Sequence, residues 1–229
     1  MGFTLTEILV VMAIIVVLSA IVIPLSARFI GTAQSSRCVS NLRELAVYAH
    51  GQAAETGFYL PMLSHTTGAN GSLQHTGDWL GRHINDKSSV ICPAAKFTGY
   101  NDRGRPIGGY GANPRVMGWM TDGEPPLVRP TQISRPTEVM LMSDGAQFKS
   151  NPRPLQFNAR WWGSRNGKPE NAEKELTTTD IIPGGFWDED VSTIPLRHHG
   201  KANILFCDGH VSSIRRIGEL KEKNLYWNY

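Results

Sequence analysis

Cysteine is scarce in this chain, which has three thiols, Cys38, Cys92 and Cys207, among 229 residues. Three thiols are too few for the disulfide framework of a small secreted domain, and no Cys-x-x-Cys pair indicates a metal or redox motif. If the chain folds outside the cytoplasm, one bridge can form and one thiol is left over. We expect each thiol to be buried and unpaired.

A strong excess of charge of either sign is also lacking. The net charge is +3 and no block of Lys and Arg is long enough to form a basic surface, so the sequence predicts no nucleic-acid partner. It contains no repeat at solenoid spacing and no low-complexity tract. Residues 57–229, which we call the head, are numerous enough to enclose a single hydrophobic core.

Charged residues are absent from residues 8–27, where Leu, Ile and Val dominate. As a helix this run would reach about 30 Å, the thickness of the hydrocarbon core of a bilayer. Pro24 removes one backbone hydrogen bond from such a helix and therefore predicts a kink. Glu7 stands just before the run, and a carboxylate at the edge of an apolar helix costs up to about 3 kcal/mol unless it is neutralised or paired.

The opening block Gly2-Phe3-Thr4-Leu5-Thr6-Glu7 resembles the processing site of type IV prepilins and type II secretion pseudopilins. The resemblance implies that a prepilin peptidase cleaves between Gly2 and Phe3 and methylates the new amino terminus at Phe3. It further implies that Glu7, the fifth mature residue, pairs with the terminal amine of a neighbouring subunit. The alternative is a plain signal anchor with Glu7 at the level of the lipid headgroups.

The segment before the cleavage site departs from that family, because prepilin leaders carry Lys or Arg and only Met1 precedes Gly2 here. Arg28, Arg37 and Arg43 follow the apolar run, so the positive-inside rule alone would place the head in the cytoplasm. We expect the natural start to lie upstream with a basic leader. The resemblance implies a single-pass protein of the bacterial inner membrane with an extracytoplasmic head.

An amphipathic pattern continues beyond the apolar run. Apolar side chains recur at three- and four-residue spacing at Phe29, Ile30, Ala33, Cys38, Val39, Leu42, Leu45, Ala46, Ala49 and Ala53. Gly57 and Pro61 then predict the end of the helix, which would be about 80 Å long. The predicted segments are a leader remnant at 1–2, a transmembrane helix segment at 3–27, its amphipathic continuation at 28–56, and the head at 57–229.

Short strands separated by Gly- and Pro-rich connections are predicted in the head. They are expected over residues 90–93, 138–143 and 203–207. The last two precede Asp144-Gly145 and Asp208-Gly209, and each dipeptide predicts a type I′ hairpin turn. The unbroken apolar character of these strands indicates that both faces are covered.

The region 149–196 is expected to be mostly irregular, with a short helix at 170–176. The predicted fold class is therefore α+β and pilin-like. In it a long N-terminal α-helix, with a transmembrane half and an amphipathic half, packs on a small antiparallel β-sheet head with long loops.

A second resemblance comes from the C-terminal block 198–209, in which nine residues separate His198 from Asp208-Gly209. It resembles the prepilin-type domain named for its His-x9-Asp-Gly motif. Three looser matches agree: Cys38 with Asn41-Leu42, Cys92-Pro93, and Tyr110-Gly111-Ala112-Asn113. The resemblance implies a processed pilin-like protein and leaves the ligand of the head undefined.

Three interpretations apply to the histidines of this block. The favoured one is a staple, in which His198 hydrogen-bonds to Asp208 or to a backbone carbonyl and fixes the turn at Gly209. A metal site formed by His198, Asp208 and His210 has suitable ligand types for zinc, but nothing in the spacing makes the ligands converge. Catalysis would need a nucleophile, a base and an orienting group that the sequence does not identify.

Each of two further clusters has a functional interpretation and a purely structural one. Asp188-Glu189-Asp190 could supply calcium ligands, but its carboxylates lack alternating spacing, which favours a solvated acidic turn. Arg160-Trp161-Trp162-Gly163 could present an aromatic platform to a glycan or a neighbouring subunit, and core packing explains it equally well.

The sequence thus predicts a structural subunit that is a substrate of prepilin peptidase and not itself an enzyme, with no required cofactor. Its expected partners are that peptidase, the inner membrane, and other pilin or pseudopilin subunits in a type IV pilus or type II secretion-like filament. The alternative is a single-pass anchored head that binds metal or carbohydrate and does not polymerise.

Overall fold

A computed structural model describes fourteen stretches of the chain. They are residues 4–59, 63–67, 73–78, 87–96, 99–100, 106–107, 110–113, 116–117, 119–120, 128–145, 147–148, 176–177, 181–182 and 194–215.

One helix, α1, spans Leu5–Thr56 and contains 52 residues, which corresponds to about 78 Å. It begins after Thr4, whose extended backbone and side chain form a capping box with Glu7. The Thr4 hydroxyl accepts from the Glu7 amide at 3.3 Å, and Glu7 Oε2 accepts from the Thr4 amide at 2.8 Å. The helix ends at Gly57, which adopts a left-handed φ of 82°. The predicted long helix and its glycine stop are confirmed, and α1 continues through Pro24, where the kink stays a prediction.

The two halves of α1 have opposite environments. From Leu5 to Ile30 the large apolar side chains are exposed, and an apolar window of this half is long enough to cross a membrane. From residue 34 onward, which we call the docked half, the helix packs on the head. Its buried side chains are Cys38, Asn41, Leu42, Leu45, Ala46, Ala49 and Ala53. The buried apolar stripe therefore starts later than the sequence pattern indicated, because Phe29 and Ile30 remain exposed.

Thirteen short strands lie in the described part of the head. They are β1 (Leu63–Thr67), β2 (Leu73–Asp78), β3 (Gly99–Tyr100), β4 (Pro106–Ile107), β5 (Tyr110–Ala112), β6 (Trp119–Met120), β7 (Met140–Asp144), β8 (Gln147–Phe148), β9 (Leu176–Thr177), β10 (Ile181–Ile182), β11 (Ile194–Pro195), β12 (Ala202–Phe206) and β13 (Val211–Ile214). Two single-turn 3-10 helices occupy Lys87–Val90 and Pro130–Gln132.

The central sheet is antiparallel and has the strand order β13-β12-β7-β5. Every residue of β7 and β12 is buried, and their apolar side chains belong to two core clusters. Leu205 belongs to the cluster that contains the docked half of α1, whereas its neighbours Ile204 and Phe206 join the other cluster with Ile194. Because successive strand residues point to opposite faces, the sheet is covered on both sides, as its apolar runs predicted.

The remaining described strands form small sheets. β1 pairs with β2 and with β6, β3 pairs with β4, β8 pairs with β10, and β9 pairs with β11. The α+β class is consistent with this arrangement of one long helix and a small antiparallel sheet. The predicted helix at 170–176 lies outside the described residues except for Leu176, which belongs to β9.

The strand predicted over residues 90–93 is wrong. The chain instead forms the 3-10 helix Lys87–Val90 followed by a turn, in which the amide of Ala95 donates to the carbonyl of Cys92 at 3.0 Å. The side-chain amide of Asn41 on α1 donates to the carbonyl of Ile91 at 3.0 Å. The carbonyl of Ile91 is therefore bound by the helix and is not paired with a neighbouring strand. Pro93 has no amide hydrogen and cannot donate to a neighbouring strand either.

Neither Asp-Gly dipeptide forms the predicted type I′ turn. Asp208-Gly209 does connect the antiparallel pair β12 and β13, but Gly209 has a φ of 91° while Asp208 does not have positive φ. The amide of Gly209 donates to the carbonyl of Phe206 at 2.9 Å, and the amide of Phe206 donates to the carbonyl of His210 at 2.9 Å. This is a three-residue loop that ends in a left-handed glycine.

Asp144-Gly145 makes no hairpin, since β7 pairs with β5 and β12 and not with the following strand β8. The Asp144 side chain is completely buried, and Gly145 lacks positive φ. The dipeptide that looked like a turn signal therefore places a carboxylate inside the head.

Gly209→Val should lower the melting temperature of the protein, because a β-branched side chain at positive φ is strained by roughly 1–3 kcal/mol. Thermal unfolding of the full chain in detergent measures the effect. Ser212→Val is the matched control, since Ser212 is exposed on the edge strand β13 and has no such backbone requirement. Equal melting temperatures for the two variants would contradict the need for glycine in this loop.

Candidate metal centre

Four buried side chains from distant parts of the chain converge between α1 and the central sheet. They are Cys38, Cys92, Asp144 and His198, and each offers one ligand atom within 4.8 Å of the other three. Their exposed fractions are 0% for the first three and 3% for His198. We call this group the Cys-Cys-Asp-His cluster, and it is a group that could bind a metal ion.

Three contacts define the geometry of the Cys-Cys-Asp-His cluster. Cys38 Sγ lies 3.0 Å from Asp144 Oδ1, and Cys92 Sγ lies 3.5 Å from His198 Nε2. The same ring nitrogen, His198 Nε2, lies 3.4 Å from Asp144 Oδ2. The two sulfurs, the carboxylate and Nε2 are therefore all close to one another rather than arranged in a line.

Each member is positioned by a different element. Cys38 lies on the docked half of α1, and Cys92 lies in the turn that follows the first 3-10 helix. Asp144 is the last residue of β7. His198 lies in a turn between β11 and β12, where it exchanges backbone hydrogen bonds with Lys201 at 3.0 and 3.1 Å.

Polar groups around the cluster orient its members. The amide of Asn203 donates to Asp144 Oδ2 at 2.7 Å, which leaves Oδ1 beside the Cys38 thiol. The hydroxyl of Tyr110 donates to the backbone carbonyl of Cys38 at 3.4 Å. The guanidinium of Arg197 donates to the carbonyl of Gly145, and its positive charge thus stands next to the cluster.

The two thiols have different acidities. Burial raises the pKa of the Cys38 thiol well above its usual range, and the hydrogen bond with Cys92 and the Asp144 charge raise it further. Burial would also raise the pKa of Cys92, but hydrogen bonds from Cys38 and His198 and the charge of Arg197 lower it to about 6. One thiolate and one thiol are therefore the favoured state of the metal-free pair near neutral pH.

The imidazole and the carboxylate stabilise each other as ions. For His198, burial favours the neutral ring, but hydrogen bonds to Asp144 and Cys92 raise its pKa to about 9. For Asp144, burial opposes ionisation, but the hydrogen bond and charge of His198 lower its pKa below the usual value. In the metal-free cluster, His198 and Asp144 therefore form a buried ion pair beside the two thiol groups.

The arrangement does not resemble a Cys-His-Asp catalytic triad. In a triad the carboxylate holds one ring nitrogen while the other nitrogen faces the nucleophile. Here both Cys92 and Asp144 lie beside Nε2 of His198, and Nδ1 has no hydrogen-bond partner among the described residues. Because the thiol and the carboxylate meet the same ring nitrogen, the cluster lacks the relay of a triad, and its sulfur, nitrogen and oxygen donors are types that bind metal ions.

The staple predicted between His198 and Asp208 is corrected, because the partner of His198 is Asp144. Asp208 instead pairs with His210, whose Nδ1 lies 2.6 Å from Asp208 Oδ1. His198 precedes β12 and Asp208 follows it, and a five-residue strand separates its ends by roughly 17 Å. The metal set predicted from His198, Asp208 and His210 is therefore not brought together.

Two neighbouring histidines take no part in the cluster. His199 is exposed, and its ring lies against the backbone of Gly31 on α1. The ring of His210 stacks on Phe206 at a centroid distance of 4.3 Å.

Sequence reasoning did not group Cys38, Cys92 and Asp144 with His198. A signal was nevertheless present in the short fragments that carried the resemblance, since Cys38, Cys92 and His198 belong to them. Tyr110 and Asn113, from another of these fragments, are also buried, and the Asn113 amide donates to the carbonyl of Met140 at 2.8 Å.

Other predicted sites lie outside the described residues. They are the cleavage site Gly2 and Phe3, the acidic run Asp188-Glu189-Asp190, and the aromatic run Arg160-Trp161-Trp162-Gly163. Comparison of the chain with protein-family models, curated proteins and solved structures returns no match.

Proposed function

We propose that this chain is a pilin-like structural subunit that is anchored in a membrane by α1 and assembles through the same helix into a filament. The observation that carries the proposal is the division of α1 into a docked half, buried against the head, and a preceding half whose apolar side chains are exposed. The proposed class is that of type IV pilins and type II secretion pseudopilins.

The preceding half of α1, from Leu5 to Ile30, needs a partner to cover it. From Leu5 to Ile30, seventeen large apolar side chains are exposed, and a contiguous apolar surface of this size is unfavourable in water. Lipid can cover it before assembly, and the equivalent helices of neighbouring subunits can cover it in a filament. One helix thus supplies both the anchor and the assembly surface.

The start of α1 also supports the proposal. Glu7 is the acidic residue of the first helical turn, next to the predicted mature amino terminus at Phe3. Its capping box with Thr4 satisfies the carboxylate within a single chain, so Glu7 can be held at the end of the helix before a neighbouring amine arrives.

A single-pass anchored head that binds metal and does not polymerise is the second candidate. The Cys-Cys-Asp-His cluster favours it, since the cluster offers a site for a cation inside the head. Binding and assembly are separable, because the cluster lies against the docked half and Glu7 lies at the opposite end of α1. Carbohydrate binding by such a head was suggested by the aromatic run at 160–163, which lies outside the described residues.

Processing tests the proposed function. Expressed behind a basic prepilin leader in cells with an active prepilin peptidase, the mature chain should begin at N-methylated Phe3. Intact mass and amino-terminal sequencing of membrane-extracted protein measure both the cleavage and the methyl group.

The control is Gly2→Val, which alters the residue before the cleaved bond and should leave the leader attached while the head still folds. A wild-type chain that keeps Gly2 and an unmethylated Phe3 in those cells would exclude the pilin-like assignment.

A further inference from the structure

We propose that the Cys-Cys-Asp-His cluster is a structural zinc site that joins the docked half of α1 to the head. Its ligands are the thiolates of Cys38 and Cys92, the carboxylate of Asp144, and Nε2 of His198. This inference concerns the fold of the head and does not depend on whether the chain polymerises.

The spacing of the ligand atoms suits a tetrahedral ion. Zinc bonds of about 2.0–2.3 Å keep the ligand atoms of a tetrahedron roughly 3.3–3.8 Å apart. The contacts between Cys92 Sγ and His198 Nε2 at 3.5 Å and between His198 Nε2 and Asp144 Oδ2 at 3.4 Å fall in that range. The 3.0 Å contact of Cys38 Sγ is with the other carboxylate oxygen, Asp144 Oδ1, so it is not an edge of the same tetrahedron, but it places this thiol beside the carboxylate. All four ligand atoms lie within 4.8 Å of one another.

The donor set selects the metal by its chemistry. Two sulfurs and one imidazole are the ligands that tetrahedral zinc prefers, whereas calcium and magnesium require a shell of oxygens. Asp144 is the only oxygen donor in the cluster, so neither of those cations fits. Both cysteines must be thiolates and the imidazole must be neutral when the metal is bound, so zinc binding should release protons.

The charges around the site are suited to the filled state. Zinc with two thiolates, one carboxylate and a neutral imidazole carries one net negative charge. The guanidinium of Arg197, at the adjacent Gly145 carbonyl, can balance that charge. The amide of Asn203 donates to Asp144 Oδ2 at 2.7 Å and so fixes the carboxylate, as an outer-shell hydrogen bond does in metal sites.

Burial assigns a structural and not a catalytic role. A catalytic zinc keeps one position open to water or substrate, whereas a structural zinc is closed by four protein ligands. All four side chains here are buried, and they come from α1, the turn at Cys92, the end of β7 and the turn before β12. A single ion would therefore cross-link four segments that no disulfide joins.

The proposal is tested on the full chain in detergent. Purified from medium supplemented with zinc, the wild-type chain should contain about one zinc per chain by elemental analysis. After removal of zinc with a chelator, titration with Co²⁺ should produce the visible absorption of tetrahedral cobalt and a thiolate-to-cobalt charge-transfer band. The X-ray absorption spectrum of the zinc form should fit two sulfur and two lighter ligands.

Ligand and control variants make the test specific. Cys92→Ala and His198→Ala should each weaken cobalt binding more than about 100-fold, beyond the effect expected for an outer-shell change. Cys207→Ala is the matched control, because Cys207 is also a buried free thiol but lies outside the cluster. It should retain the stoichiometry and the cobalt spectrum of the wild type. Chelation should lower the melting temperature of wild type and Cys207→Ala by roughly 5 °C or more.

Two results would overturn the proposal. One is a wild-type chain that binds neither zinc nor cobalt after full reduction, whether its intact mass before reduction showed one disulfide or three free thiols. The other is metal binding that Cys92→Ala and His198→Ala leave unchanged. Because the first readout uses the wild-type chain, it remains decisive even if a ligand variant does not fold.

Discussion

Leu42→Ala is expected to lower the free energy of unfolding of the head by about 2–5 kcal/mol, the range for a buried leucine truncated to alanine. Leu42 lies on the docked half of α1, is 0% exposed, and belongs to the core cluster that contains Leu141 and Leu205 of the central sheet. Its loss would leave a cavity at the junction of helix and sheet. Since domains are stable by only about 5–15 kcal/mol, this one change should remove a large part of the total.

Urea unfolding of the full chain in detergent, followed by tryptophan fluorescence, measures the loss. Val47→Ala is the matched control, because Val47 lies on the same helix but is 72% exposed, and its truncation should change the free energy by less than about 0.5 kcal/mol. If Leu42→Ala and Val47→Ala unfold at the same urea concentration, the docking of α1 against this sheet is wrong.

Local patterns predicted the helix and the two central strands because the causes of those elements are local. Apolar spacing and a left-handed glycine after Thr56 define the end of α1, and unbroken apolar runs define β7 and β12. Apolar spacing alone does not predict which helix face is buried. Val47 is an apolar residue of the same helix, but it is exposed because the sheet does not cover its face.

The turn type was harder to predict, because one dipeptide supports several loops. Asp208-Gly209 forms a three-residue loop in which only Gly209 has positive φ, and Asp144-Gly145 forms no hairpin. Whether such a dipeptide forms a hairpin depends on which strands pair in the sheet, and these can be distant in sequence. β7 pairs with β12 and β5, so its last residue is directed into the core instead of into a turn.

The Cys-Cys-Asp-His cluster could not be predicted from spacing. Its contacts between Cys38 and Asp144 and between Cys92 and His198 each join residues 106 positions apart. No short motif encodes that separation, because the ligands come from elements far apart in the chain that are adjacent only in the folded structure. The sequence shows residue types that can bind a metal, but only the folded structure shows that these four are adjacent.

Glu7→Ala is expected to eliminate the chain from sheared filaments while leaving it inserted in the membrane with a folded head. On the proposed function, the Glu7 carboxylate pairs with the amine of a neighbouring subunit in a low-dielectric setting, where an unpaired charge is costly. The head should be unaffected because Glu7 is exposed and, within the described part of the chain, its hydrogen bonds are with Thr4 at the start of its own helix. Immunoblots of sheared and membrane fractions measure incorporation, and proteolysis of the membrane fraction measures folding.

The capping box provides the decisive control, since Glu7 also stabilises the end of α1 within its own chain. Glutamine serves at this position of a capping box as glutamate does, so Glu7→Gln retains the contact with the Thr4 amide and removes only the charge. Thr4→Val removes the hydroxyl of the box and retains the charge. If assembly requires the charge pair, Glu7→Gln should fail like Glu7→Ala, and Thr4→Val should still assemble. If the local cap alone matters, Glu7→Gln will assemble like wild type, and the inter-subunit pairing is refuted.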